Sequence, residues 1–405
     1  MSASALLSGH HGHKANLCRP WTTGICRPSH ALTCRSHRVV YRQSLQRRSH
    51  TSECLQGSKT SSSVAVKDDL LDYITQGPLL PLCGITTEDV QQQSQDWVRL
   101  GDFMLTFLNF PSQEALNDVQ RMRVYQYYLP IYFWMRQQLS LHKDGLQGKE
   151  QPLTIGMQAP QGCGKTTIVE VLEAVFKHEG LRPASISIDD FYLRFEDQQA
   201  LAQAKSENKL LQVRGNAGTH DLQLGQDTLR ALQGAGSSDA EVAVPRYDKS
   251  QHGGRGDRAP SSAWPCVKAP IDIILFEGWM LGFSPVADGE VEKISADLVS
   301  INQKLRDYEV AWDAHVDAWL VVKVGSPEWV YRWRLQAEHA MHASGKPGMS
   351  DEQVANFVEC YMPAYKAYLP GLYAKGPTTA KAGRLLMLEI DEHRGLVPEQ
   401  PPCPL

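Results

Sequence analysis

Lys165 and Thr166, directly behind Gly162-Cys163-Gly164, are the residues of this chain best placed to do chemistry. With Ala159, Pro160 and Gln161 before them and Thr167 after, they form the pattern G-x-x-x-x-G-K-[ST], Ala159 standing for the first glycine. Such a turn points successive backbone N–H groups at one anion, and a helix starting there adds the positive end of its dipole. Lys165 then reaches the β- and γ-phosphates of a nucleoside triphosphate, and the Thr166 hydroxyl ligates Mg²⁺. A Gly-rich surface turn would satisfy the bare pattern, but the flanking residues supply the context that the motif needs. Leu153 to Met157 read as a buried strand, and Ile168, Val171, Leu172, Val175 and Phe176 repeat at helical spacing until Gly180.

Two further apolar runs end in acids. Pro183 to Asp189 leads into Asp189-Asp190-Phe191-Tyr192, and Ile271 to Phe276 leads into Glu277. In a parallel sheet, ligands bind beyond the carboxyl ends of the strands, which puts these acids on the rim of Lys165. One carboxylate can orient or deprotonate an attacking hydroxyl while the other holds Mg²⁺. Asp189 is assigned the first task and Glu277 the second. One of Asp189 and Asp190 is also expected to cap a helix.

The elements that must position these groups follow from periodicity. Apolar runs at 318–324 and 385–390 add two strands, and helical stretches follow at about 326–343 and 350–367. Residues 194–212 are polar and helix-prone, and 233–265 read mostly as loop. Continuous apolar runs with helices between them predict an α/β fold, a parallel sheet covered on both faces. Residues 66–150 carry helical stripes and form an N-terminal extension expected to pack on the core. Its aromatics, Tyr125, Tyr127, Tyr128, Tyr132, Phe133 and Trp134, read as core. A catalytic body is expected over 151–395 and a tail over 396–405.

Residues 1–60 hold nine Lys/Arg and one acid, Glu53, leaving 32 basic and 44 acidic residues in the remainder. An acidic body argues against nucleic-acid binding, and no run approaches the roughly 20 apolar residues of a membrane span. The basic, Ser- and Arg-rich start reads as a transit peptide, 1–65, to a chloroplast or mitochondrion, with a cytoplasmic location as the alternative. The cysteines beyond it, Cys83, Cys163, Cys266, Cys360 and Cys403, suggest neither a metal site nor a disulfide framework.

Longer strings carry a resemblance. SIDDFYL at 187–193, VRGNAGTHDL at 213–222, VPRYDKS at 244–250, FEGWMLGF at 276–283, WRLQAE at 333–338 and YMPAYKAYL at 361–369 resemble the D-glycerate 3-kinase family. That family lies within the group of uridine kinase, phosphoribulokinase and pantothenate kinase. The resemblance implies a three-layer P-loop fold and ATP- and Mg²⁺-dependent phosphorylation of D-glycerate, in a chloroplast form that serves photorespiration. It makes Ala159 to Thr167 the ATP-phosphate site and Asp189 the acid that activates the acceptor hydroxyl. Tyr192, Arg214, His220, Asp221, Tyr247 and Lys249 fall in motifs that shape the acceptor pocket. Arg334, with Arg332 beside it, falls where related kinases place basic lid residues.

The residues themselves agree in outline. Glycerate is a small anion that needs a cation against its carboxylate, for which Arg214, Arg246 and Lys249 are candidates, though each alone is an ordinary surface charge. At a spacing of two, only one of Arg332 and Arg334 should face the phosphates. Cys163 sits where chloroplast phosphoribulokinase has a regulatory cysteine. A helix N-terminus there is expected to lower its pKa and open thiol redox control, although a small side chain that merely fits would read the same. Two other functions stay open. One is a kinase for another small hydroxylated metabolite. The other is a nucleotide-hydrolysing switch or assembly factor, against which Asn208-Lys209 lacks the acid of a guanine-reading N-K-x-D motif.

Overall fold

The computed structural model describes residues 69–398 apart from 238, 344, 346 and 347, so the expected transit segment lies outside the described residues. Its centre is a sheet of five parallel strands, β1 (Leu153–Gln158), β2 (Pro183–Ser187), β3 (Ile273–Gly278), β4 (Ala318–Val324) and β5 (Leu385–Ile390), in the order β2-β3-β1-β4-β5. This is the expected α/β architecture. β1 is buried along its whole length, as a central strand with both faces covered must be. β5 alternates buried and half-buried positions, because it is an edge strand with one face packed. β3 starts two residues later than its apolar run and extends through Glu277.

Register aligns the strand ends. Met157 of β1 and Ser187 of β2 both pair with Glu277 of β3, so the phosphate loop, the Asp189 turn and Glu277 leave the sheet at one edge. The helix Lys165–His178 follows the loop and buries Ile168, Val171, Leu172, Val175 and Phe176.

Three helices without a counterpart in the sequence reading, Leu222–Gln233, Asp288–Ile294 and Leu298–Ala311, add cover beyond the expected set. The predicted helix over 350–367 is two helices, Asp351–Glu359 and Met362–Lys375. Pro363 explains the break, since proline fits a first helical turn and lacks the N–H to continue a preceding one. The long stretch 118–145 stays helical but passes through a π segment at Arg123–Tyr128. That wider turn precedes Pro130, whose ring would collide with a carbonyl in a regular α-helix.

The segment from 69 to 145 packs on the helix behind the phosphate loop. Phe103 stacks on His178 at 4.1 Å, the Tyr132 ring lies 5.3 Å from that of Phe176, and Arg99 pairs with Glu179. At the far edge, Arg384 donates to the carbonyl and the side chain of buried Gln138. The stretch predicted as loop, 233–265, contains most of two small antiparallel ribbons, 241–243 with 266–268 and 247–248 with 257–258. The predicted tail does not leave the core at 396, because Val397 N–H donates to Glu389 O at the edge of β5. Among the described residues, no helix is long and apolar enough to cross a membrane.

Candidate active site

The phosphate loop is shaped by two glycines in left-handed conformations. Gly164, φ 101°, precedes the helix as its cap, and Gly162 has φ 81°. A Cβ at Gly162 would also come within 2.6 Å of Trp333 Cβ, so no larger residue fits. The Gln161 N–H donates to Tyr365 Oη at 3.1 Å. Gly162, Gly164, Thr166 and Thr167 are exposed, leaving the mouth of the loop open, while Ala159, Pro160 and Cys163 are buried behind it.

Lys165 Nζ lies 2.9 Å from Glu277 Oε2, both side chains being largely buried. Burial opposes the lysine's charge, but the Glu277 carboxylate more than reverses this and its pKa is raised. Oε2 of Glu277 is buried and has no aligned hydrogen bond. The Glu277 carboxylate beside Lys165 and the hydroxyl of exposed Thr166, next to Lys165 in the chain, are oxygen donors of the kind a hard cation takes. Among the described residues no group of three or more His, Cys, Asp or Glu could hold a metal. Mg²⁺ takes one or two protein oxygens and completes its shell with phosphates and water.

Asp189 follows β2 in a short 3₁₀ turn. Its Oδ1 accepts from Tyr192 Oη at 2.9 Å and its Oδ2 from Lys249 Nζ at 2.5 Å. Burial alone would raise its pKa, but Lys249 and Lys165 outweigh burial and hold it below the usual carboxylate range. The expected cap on one of the two acids is absent. The side chain that caps this turn is Ser187, accepting from Asp189 N–H at 3.3 Å. Asp190 instead anchors the neighbouring ribbon, pairing with Arg246 at 3.1 Å and accepting from Tyr247 N–H at 3.3 Å. Burial pushes its pKa up to about 6, Arg246 opposing the shift.

The predicted acceptor residues divide. Tyr192 is buried, stacks on His220 at 4.5 Å and meets Tyr247 edge-on at 5.3 Å. His220 Nδ1 lies 2.8 Å from Tyr308 Oη, and burial lowers the imidazole pKa to about 3, so the ring is neutral. Tyr308 Oη also accepts the Gly218 N–H. Arg214 is spent on the fold of the ribbon turn, donating to Gly254 O at 3.0 Å and to Arg255 O, with its guanidinium over Tyr247. Asp221 caps the helix Leu222–Gln233, accepting from Leu224 N–H at 3.0 Å, and pairs with Arg258 at 3.1 Å. Its carboxylate is therefore engaged in structure and not presented to an acceptor.

Arg334 pairs with buried Glu338 one turn away and lies over Phe357, and Arg332 pairs with Glu392, so both cations already hold a carboxylate. One expectation is corrected. Cys163 is buried, and burial raises its thiol pKa against the pull of Lys165. Desolvation outweighs the helix N-terminus, so the thiol is not activated and the redox expectation loses its basis. A residue absent from the sequence reading does reach the loop. Arg394, in the turn after β5, donates from Nε to Gly162 O at 2.7 Å and lies over Trp333. The strand-end rule applied to β5 would have found it.

Residues 154–298 match the phosphoribulokinase / uridine kinase family. The chain is 45% identical over 348 residues to the chloroplastic D-glycerate 3-kinase of Arabidopsis thaliana, covering 85% of this chain and 76% of that protein. A probable ATP-dependent kinase of Saccharomyces cerevisiae is 37% identical over 266 residues, covering 63% of this chain and 90% of its own length. Among solved structures, D-glycerate 3-kinase from Cryptococcus neoformans has a TM-score of 0.61 at 37% identity, covering 67% of this chain and 97% of that one.

Proposed function

This chain belongs to the D-glycerate 3-kinase family, and on that premise we propose that it transfers the γ-phosphoryl group of ATP to the primary hydroxyl of D-glycerate, giving 3-phosphoglycerate. The observation that carries the reading is the shared rim, where Lys165 lies against Glu277 while Asp189 leaves the neighbouring strand end. Phosphoryl transfer asks mainly for positioning and charge stabilisation, and these groups suit it. The loop from Ala159 to Thr167 cradles the phosphates, and Lys165 neutralises them. Glu277 and Thr166 would hold Mg²⁺, which would supply positive charge against the phosphates as charge develops. Asp189, held ionised, accepts the hydroxyl proton. Tyr192, His220, Tyr247 and Lys249 line the acceptor side. Arg214 supports that wall from behind.

An acceptor panel tests the reading. The full chain with ATP and Mg²⁺ is offered D-glycerate, uridine, pantothenate or no acceptor, and ADP release is followed. D-Glycerate should be the substrate, and Asp189→Asn should lower turnover by about two to four orders of magnitude with ATP affinity retained. Equal ADP release without an acceptor would favour a nucleotide-hydrolysing switch instead.

The relative from Arabidopsis is named chloroplastic, and residues 1–60 here carry nine Lys/Arg against one acid. We place the enzyme in the chloroplast stroma, recovering photorespiratory glycerate, with residues 1–65 as a transit peptide. A fluorescent protein fused behind this segment should enter chloroplasts; retention in the cytosol or entry into mitochondria would overturn the placement.

A further inference from the structure

Asp189 has no free oxygen in this structure. Oδ1 is held by Tyr192, which is buried, stacked on His220 and unable to leave without breaking the wall of the site. Oδ2 is held by Lys249, whose side chain is 59% exposed. Lys249 follows the short strand Tyr247–Asp248 and opens the turn that returns through Gly253, Gly254 and Gly256, all in left-handed conformations. The turn is anchored on either side of the lysine, by Asp190 through Arg246 and Tyr247 N–H, and by Arg214 through Gly254 and Arg255. A fixed base thus carries a swinging cation on a long, flexible stem.

We propose that Lys249 guards Asp189 and is drawn off it only by an acceptor that brings its own carboxylate. This rests on the reading of Asp189 as the proton acceptor. The Lys249 head group is reached from solvent on a flexible stem, so a substrate carboxylate can exchange for that of Asp189 as its partner without leaving the cation unpaired. A neutral alcohol or a water molecule has no charge with which to do so. Once Lys249 has moved, Oδ2 takes the proton of the primary hydroxyl. The hydroxyl oxygen bonds to the γ-phosphorus as the bond from phosphorus to the ADP oxygen breaks, and the proton later leaves Asp189 for solvent. Lys249 therefore selects acids over alcohols and restrains hydrolysis while the acceptor site is empty.

The test is steady-state kinetics of the full chain with ATP and Mg²⁺, for wild type, Lys249→Met and Lys249→Arg, each with D-glycerate, glycerol or no acceptor. Lys249→Met should lower kcat/KM for D-glycerate about 100-fold, as loss of a charge partner does, while ADP release with glycerol and without acceptor rises above wild type. Lys249→Arg, which keeps the cation, should keep both of those rates low. If Lys249→Met weakens D-glycerate use and leaves the other two rates at the wild-type level, Lys249 only binds the carboxylate and the guard is refuted. A wild type inert toward D-glycerate would overturn the proposed function itself, and the guard with it.

Discussion

Asp189 and Asp190 are neighbours in sequence and opposites in electrostatics. Both are desolvated, which favours the neutral acid. Asp189 has Lys249 and Lys165 to reverse this. Asp190 has the Arg246 guanidinium and backbone hydrogen bonds, that from Tyr247 N–H at 3.3 Å, and burial wins, at about 6. The consequence for stability can be signed. Between about 4, the unfolded value, and about 6, the folded chain binds the extra proton at Asp190, so this group's contribution falls as pH rises. His220 has the opposite sign. Its folded pKa of about 3 lies below the unfolded value of about 6.5, so its contribution is complete above that value and lost as pH falls towards 3. The two oppose each other from about pH 4 to 6. Asp190→Asn removes one term, and melting temperature measured over that window should then fall more steeply with acid than in wild type. An unchanged slope would show that Asp190 ionises normally in the fold.

Among the elements, the helix Leu222–Gln233 shows how a motif residue can be structural. Asp221, next to last in the string VRGNAGTHDL, satisfies an N–H of the helix that the string leads into. Removing such a cap costs about 1 kcal/mol. Asp221→Ala should therefore lower the unfolding free energy from denaturant titration by that amount, with a lower midpoint, while KM for D-glycerate stays near wild type. A raised KM with an unchanged midpoint would return Asp221 to the acceptor pocket. The helix Leu298–Ala311 matters similarly to the site, since it carries Tyr308 to both His220 and Gly218. Both helices bury apolar residues at helical spacing.

For the molecule as a whole, the decisive arrangement is a parallel sheet whose central strand bears the phosphate loop, with acids arriving from the two strands on one side and Arg394 from the edge strand on the other. The segment 69–145 braces this frame at two places, against the helix behind the loop and at Gln138 beside β5.

Much of this was legible in the amino-acid order alone. The strands, the phosphate loop and the acids that end β2 and β3 are local patterns, set by alternation, apolar runs and glycine conformation within a few residues of each other. The partners of the charges were not. Lys249 lies 60 residues from Asp189, and Arg246 lies 56 from Asp190. Arg334 is neutralised by Glu338, whose burial decides the pairing, and Cys163 loses its acidity to the packing around it. Desolvation and Coulomb energy depend on what distant segments bring to a point in space, so only the tertiary structure could settle which of the candidate groups are free to react.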